Sequence, residues 1–324
     1  MSFDDALIFA YLFDGSHPAT QIGAAGIESR EEDAGWLWLH LDRTDEATEP
    51  WLRDVADLDT IAVEALLAEE TRPRVESMRD GLLVILRGVN LNPGADPDDM
   101  ISIRAWIDAK RVITLRARRL MAIEDLQGRI AKGYAPAAPS TLLVDIADAM
   151  IDRMAPVLDD LGDAVDQIEE DVLDAPSREL RAKLSDFRRQ AINLRRYLAP
   201  QREVLARLYG DHTAPLGDTD RFHLRETLDR LTRYVEELDA ARDRAAVTQE
   251  EVNGRMADQM NSNMYLLSLV AGIFLPLGLL TGLLGINVGG MPGVDSDWAF
   301  ALVCVILVVL AGIQWWLFRR FRLL

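Results

Sequence analysis

Two long stretches without a charged side chain constrain this chain more than any other feature. Residues 259–294 form an uncharged run of 36 residues, and residues 298–318 form a second run of 21. A helix that crosses the hydrocarbon core of a bilayer needs roughly 20 apolar residues. The first run therefore predicts one membrane span and a loop, and the second run predicts another span. A buried hairpin of a soluble protein is disfavoured, because core helices are usually shorter and carry a polar face.

Basic residues at the ends of these runs predict the orientation in the membrane. Arg255 precedes the first span, and Arg319, Arg320 and Arg322 follow the second, whereas residues 286–297 contain two acids and no base. Lysine and arginine are enriched on the cytoplasmic side. The chain is therefore expected to be a multi-pass membrane protein with both termini cytoplasmic.

Charge and motif content exclude several classes of function. The chain has 53 acidic and 35 basic residues, and its net charge of −18 argues against a nucleic-acid partner. The single cysteine, Cys304, lies in the second span and excludes a disulfide framework. The sequence shows no nucleophile and base pattern, P-loop or dinucleotide fingerprint, so neither an enzyme activity nor a resident cofactor is expected.

The first 139 residues are typical of a mixed α/β cytoplasmic domain. Strand-like segments, either alternating or rich in Val and Ile, are 8–13, 36–41, 82–89, 101–108 and 112–115. Helices are predicted over 51–70 and 118–132. A Pro- and Ala-rich linker follows, and Ser140 is a candidate N-cap for the next helix.

Long helices are predicted for the rest of the chain. One covers 141–173 with an acidic stripe, and the next has a leucine-rich coiled-coil seam and many arginines. These opposite charges could pair within one hairpin or between two subunits. A third helix begins near residues 218–220 and continues into the bilayer as a stalk.

The predicted fold is thus an α+β membrane protein in which a very long stalk helix continues into the first of two transmembrane helices. The expected segments are 1–139 (cytoplasmic α/β domain), 140–217 (helical hairpin), 218–263 (stalk), 264–285 (first span, pore-lining), 286–297 (periplasmic loop), 298–318 (second span) and 319–324 (basic cytoplasmic tail).

One face of the stalk and first span is made of small, polar and apolar residues without a charge. This set, called the pore stripe below, consists of Gly254, Ala257, Asn261, Met264, Leu267, Ser268, Ala271, Leu275 and Gly278. A ring of such helices would enclose a narrow pore with apolar constrictions that could gate it. Small-residue stripes also let helices pack closely in lipid, so spacing alone leaves pore and packing interface open.

The segment that ends the first span carries the most informative motif, Thr-Gly-Leu-Leu-Gly-Ile-Asn-Val-Gly-Gly-Met-Pro-Gly over residues 281–293. Between two C-terminal spans, Gly285, Ile286 and Asn287 resemble the Gly-Met-Asn hallmark of the CorA family of divalent-metal transporters. The Gly-Gly-Met-Pro-Gly that follows is similar to the ZntB zinc-transport branch of that family. Residues 65–76 and 261–276 and the order of elements also resemble the family, so the likeness covers essentially the whole chain.

The resemblance implies a homopentamer in which the first span of each subunit lines a central pore. Five copies of Asn287 would ring the outer mouth, where neutral amide oxygens hold the water shell of a cation without trapping the ion. Asp295 and Asp297 would raise the local cation concentration. The alternative is that Asn287 caps the helix and the two aspartates mark a solvated loop.

The same resemblance favours Zn²⁺ as the transported ion. Ile286 replaces the methionine of Gly-Met-Asn, and the acidic loop of the Mg²⁺ channels is absent. The pore stripe has no His or Cys, the ligands of tight zinc sites, so the ion is expected to pass partly hydrated, with protons as a candidate coupled ion.

Two alternatives remain at this stage. One is a Mg²⁺, Co²⁺ or Ni²⁺ channel of the same fold, and the other is a membrane-anchored scaffold. Asn261 and Ser268 disfavour a mere anchor, because polar groups in lipid carry a cost.

Cytoplasmic metal sites are also conceivable from the sequence. His212 and His223 flank the start of the stalk helix among acids, and Asp159 and Asp163 lie in the acidic stripe, where carboxylates could bind divalent cations. The alternatives are surface or capping histidines and a solvated or arginine-paired acidic face.

Overall fold

The structure, a computed structural model, describes residues 3–15, 18–31, 35–174, 178–212, 214–286 and 297–321. The chain divides into two compact units, Met1–Gln249 and Glu250–Leu324.

A mixed sheet of seven strands organises the first unit. The strands are β1 Leu7–Phe13, β2 Thr20–Ile22, β3 Trp36–Asp42, β4 Arg74–Met78, β5 Gly81–Gly88, β6 Ile101–Ile107 and β7 Arg111–Arg116. Their spatial order is β2-β1-β3-β7-β6-β5-β4. Among the described strands, β3 and β7 pair in parallel and the other neighbours are antiparallel.

The helices follow the same chain order. They are α1 Phe3–Ala6, α2 Ala24–Glu28, α3 Thr48–Pro50, α4 Thr60–Leu67, α5 Met121–Ala131, α6 Pro139–Asp152, α7 Ala155–Asp174, α8 Arg178–Gly210, α9 Asp218–Gly285 and α10 Ala299–Arg320, with a π-helical turn at Trp51–Val55.

Hydrophobic clusters lie on both faces of the sheet. On one face, Leu52 and Leu66 pack with Leu39, Leu83 and Ile113 in a buried cluster under α4 and the π-helical turn. On the other face, α6 contacts β3, β5, β6 and β7, and α8 contacts β4 and β5. The strands therefore need apolar residues on both sides, which explains the nearly continuous burial of β3 and β5.

The predicted fold class is confirmed, and five of the seven strands coincide with predicted segments. The two strands that the pattern missed, β2 and β4, lie at the two edges of the sheet. Edge strands are short and carry polar residues because an apolar edge would promote aggregation, and this polarity hides their alternation.

Three local predictions were wrong. The helix expected over 141–173 is broken at Asp152, because Pro156 lacks the amide hydrogen that the carbonyl of Asp152 would require. The helix expected over 51–70 is divided into the π-helical turn and α4, whose N-cap Asp59 accepts from the amide of Ile61 at 2.8 Å. Ser140 lies inside α6 and donates to Asp220 Oδ2 at 2.7 Å.

The predicted seam of α8 is buried and has one polar member. Leu184, Leu194 and Leu205 are fully buried. Gln201, which interrupts the leucine spacing, is buried too, and its Oε1 accepts the backbone amide of Arg87 in β5 at 2.6 Å. Gln201, the residue that interrupts the leucine spacing, therefore attaches α8 to the sheet.

The acidic stripe is paired with α9 rather than with α8. Arg230 of α9 contacts Asp148 and Asp152 of α6, and Arg244 of α9 contacts Asp166 and Glu169 of α7. In the part of the chain that the structure describes, no ion pair joins α7 to α8. The pairing within one hairpin was therefore not found among the described residues, because α9 itself provides arginines against α6 and α7. Pairing between two subunits stays a prediction.

Candidate ion pathway

Two helices of the structure are long and apolar enough to cross a membrane, α9 and α10. In the most apolar 18-residue segment of α9, 0% of the residues are buried, and in the corresponding segment of α10, 6% are buried. A core helix of a soluble protein would be mostly buried, so these segments are surfaces that need an apolar environment.

The pore stripe lies entirely on an exposed surface of α9. Met264, Leu267 and Leu275 are 56%, 70% and 75% exposed, and Asn261 and Ser268 are exposed as well. Within the second unit, α10 therefore leaves the stripe uncovered.

In the apolar part of α9, the half-buried positions lie on a different side of the helix from the pore stripe. Leu269 follows Ser268 by one residue, and Ile273 and Leu277 follow stripe members by two. At 3.6 residues per turn these offsets correspond to roughly 100° and 200° around the axis. The side of α9 that the second unit shields is thus distinct from the stripe.

A proline in α9 creates a local polar contact between the two spans. Pro276 has no amide hydrogen, so the carbonyl of Gly272 lacks its normal helical donor. Gln314 of α10 supplies a replacement, because its Nε2 donates to the oxygen of Gly272 at 3.4 Å. In lipid, freed backbone groups must be satisfied by neighbouring side chains.

Gly272 also has a steric reason to be glycine. A Cβ atom built at this position would lie 3.1 Å from Cζ of Phe318. The sequence analysis did not single out Gln314, although an amide inside an otherwise apolar span was a usable signal.

The predicted pore mouth lies at the end of α9. Gly285 is the last residue of the helix, and Ile286 directly after it is exposed. Asn287 and Asp295 lie outside the described residues. Asp297 is exposed and lies just before α10. The roles of these residues stay predictions.

The cytoplasmic metal candidates are distributed over separate surfaces. His212 and His223 are exposed. Asp159 and Asp163 line a groove of about 440 Å³ together with Arg244. The hydrogen bonds that Arg244 donates to Glu169 and then to Asp166 raise the pKa of Arg244 above its usual value, so this groove contains a fixed cation. Among the described residues, no group of three or more His, Cys, Asp or Glu is placed to hold a metal, and both sites stay predictions.

One histidine that the sequence analysis did not use lies in the core. His40 is fully buried in β3, and burial followed by the charge of Arg116 lowers its pKa to about 3. Its Nδ1 lies 2.8 Å from Thr114 Oγ1, which also accepts from Trp38 Nε1 at 2.9 Å. This histidine is therefore a neutral structural group.

The sheet domain and the two apolar helices define a membrane protein with a large extramembrane unit, and comparison with known proteins specifies which kind. The family described as CorA-like Mg²⁺ transporter protein matches residues 33–320. The chain belongs to this family of transporters.

Two curated relatives match over nearly the full length. The divalent cation transporter CmaX of Pseudomonas aeruginosa is 41% identical over 322 residues, covering 98% of this chain and 96% of the relative. The zinc transport protein ZntB of Yersinia enterocolitica is 36% identical over 313 residues, covering 96% of this chain and 94% of the relative.

Solved structures agree with the fold. The full-length CmaX structure matches with a TM-score of 0.85 at 40% identity and covers 98% of both chains. The CorA magnesium transporter of Methanocaldococcus jannaschii matches with a TM-score of 0.81 over 97% of this chain and 98% of its own. At 21% identity this second likeness concerns the fold alone.

Proposed function

We propose that this protein is a homopentameric Zn²⁺ transporter of a bacterial inner membrane, with both termini in the cytoplasm. The first span of each subunit lines a central pore, and a largely hydrated ion passes through it. Five copies of Asn287 form the outer mouth, and Asp295 and Asp297 attract cations toward it.

The observation that supports the pore is that the stripe with Asn261 and Ser268 lies on a surface of α9 that α10 leaves uncovered. Ser268 lies within the proposed first span, where a polar group that faces lipid is costly. Further copies of the same face would enclose Asn261 and Ser268 in an aqueous lumen, where both can bind water. Met264 and Leu275 then form apolar constrictions that can gate by losing their water.

Relatives named for zinc transport support the choice of Zn²⁺. The chemistry of the stripe is compatible with it, because amide and hydroxyl oxygens bind the water shell of an ion more readily than the bare ion. A broader divalent-cation channel is the second candidate, since the relative with 41% identity is named for divalent cations in general.

Flux through purified protein in liposomes tests the proposal. We expect uptake of Zn²⁺ that exceeds uptake of Mg²⁺, measured with and without a pH gradient. Greater Mg²⁺ flux would favour the second candidate, and no flux of either ion would contradict both.

Matched variants test the pathway itself. Asn261→Leu and Ser268→Leu place bulk on the stripe and should reduce flux severalfold. Asn263→Leu and Ser262→Leu alter the same residue types on other sides of α9 and should leave it unchanged. Equal effects of the two pairs would refute the stripe as the pore lining.

The outer mouth has its own test. Asn287→Ala should lower Zn²⁺ flux, while Asn263→Ala should not. An unchanged rate for Asn287→Ala would exclude Asn287 from the ion entrance.

A further inference from the structure

An arginine-rich cavity lies in the sheet unit, outside the ion pathway. Arg43, Arg87, Arg104 and Arg118 line a space of about 210 Å³. A neighbouring space of about 570 Å³ shares Arg87 and Arg118 and adds Arg72 and Arg196. Together the two spaces have six arginines and three carboxylates, Glu69, Glu70 and Asp99. This local positive excess occurs in a chain whose net charge is −18.

The innermost arginines bind neutral partners. Arg104 is 2% exposed and donates to the carbonyls of Leu66 at 2.7 Å and Glu69 at 3.3 Å. Arg87 donates to the carbonyls of Met100 and Thr71, each at 2.7 Å. Carbonyl oxygens satisfy donors but leave the positive charge uncompensated.

Arg43 extends this pattern, because it donates to the carbonyl of Leu67 at 2.9 Å. In the described part of the chain, no carboxylate forms an ion pair with Arg43, Arg87 or Arg104. The Nε atoms of these three arginines are buried, and each lacks an acceptor among the described residues. A buried guanidinium without a counter-charge is costly.

The nearest carboxylates do not remove this excess. Asp99 pairs with Arg118 at 2.6 Å, and both side chains are more than half exposed. The pKa of Arg104 is lowered to about 10, first by burial and then by the charges of Arg43, Arg87 and Arg74. Around Arg104 the named charges are all arginines, whereas the charges of Asp99 and Glu70 act on Arg87 in the opposite direction. The inner end of the cavity is therefore the part with uncompensated positive charge, which suits an anion.

We propose that this arginine cavity binds an oxyanion of the phosphate class. Guanidinium groups bind phosphate oxygens with paired, charge-assisted hydrogen bonds, and the inner space is large enough for one phosphoryl group. The wider adjoining space leaves room for the remainder of an organic phosphate beside Tyr197, whose ring lies 4.7 Å from Cζ of Arg87.

Calorimetric titration of the full-length protein in detergent tests this site at constant ionic strength. Inorganic phosphate and ADP serve as separate probes, with sodium chloride as the control titrant. We expect saturable binding of phosphate. Tighter binding of ADP would identify an organic phosphate as the ligand, and equal or weaker binding would identify the free ion.

Three exposed positions provide variants that should fold normally. Arg118→Gln should weaken phosphate binding about tenfold, the effect of losing one charge-assisted hydrogen bond. Asp99→Asn should tighten binding, because it removes a carboxylate from the lining. Arg119→Gln, next to the cavity and paired with Glu124 at 2.7 Å, is the matched control and should change binding less than twofold.

Several results would overturn the proposal. They are absence of saturable binding, equal heats with sodium chloride, or equal affinity in Arg118→Gln and the unsubstituted protein. If a carboxylate of a neighbouring subunit filled the cavity, no saturable binding of phosphate would be measured. Because the assay contains no transport step, its outcome is independent of the proposed ion pathway.

Discussion

At the scale of single residues, His40 shows how a core position can make the stability depend on pH. Its Nδ1 contacts Thr114 Oγ1, but its Nε2 is buried without a partner among the described residues, so a second ring proton would have no acceptor there. The pKa of about 3 lies below the ordinary value of 6.5. Between these two values the unfolded chain binds a proton that the folded chain does not bind.

The folded protein should therefore lose stability as the pH falls from 6.5 toward 3. Between pH 7.5 and pH 5, His40 accounts for about 2 kcal/mol of this loss. Thermal unfolding of His40→Gln should show a correspondingly weaker pH dependence than the unsubstituted protein. His223→Gln, at an exposed site, serves as the control, and equal pH profiles for His40→Gln and the unsubstituted protein would contradict this account.

At the scale of elements, the contact between the two spans depends on a backbone group that Pro276 leaves free. Gln314→Leu should leave the carbonyl of Gly272 without a donor and lower the melting temperature. Pro276→Ala restores the helical amide donor, so the same Gln314→Leu change should cost less in that background. The expected coupling is about 1 kcal/mol, measured as a double-mutant cycle from thermal unfolding in detergent. If Gln314→Leu lowered the stability equally with and without Pro276→Ala, Gln314 would not compensate for the proline.

The ion pairs of α9 with α6 give a second prediction at this scale. Arg230 is 29% exposed and contacts both Asp148 and Asp152. Arg230→Gln should lower the stability by about 1 kcal/mol, or about 2–4 °C in melting temperature for a unit of this size. Arg225 is more exposed, lies 4.0 Å from Asp229, and provides the control Arg225→Gln. High salt should narrow the difference between these variants, and a difference that is unchanged by salt would speak against an electrostatic origin.

At the scale of the whole molecule, the proposed function places the exposed pore stripe against further copies of the chain. The proposed assembly predicts a particle of five chains in detergent or in lipid nanodiscs, measured by light scattering or native mass spectrometry. A stable monomer that still conducts cations would contradict the shared pore.

The two apolar helical segments, the end of α9 at Gly285 and its start near residue 218 could be predicted from the sequence. Each of these features depends on local composition, because a bilayer requires an uninterrupted apolar segment and a helix requires only nearby hydrogen bonds. Five strands were recognisable for the same reason. The Gly285, Ile286 and Asn287 motif was equally local and identified the family.

Ion pairs and hydrogen bonds between residues far apart in the chain could not be predicted from local composition. The acids of α6 and α7 had arginines available on both α8 and α9, and only the tertiary structure showed that Arg230 and Arg244 are the partners. The same holds for Gln314 with Gly272 and for the arginines that surround residues 66–71. The sequence by itself determined which segments must be apolar and helical. The tertiary structure decided which polar groups meet, because a hydrogen bond or ion pair depends on distances of a few ångströms between residues far apart in the chain.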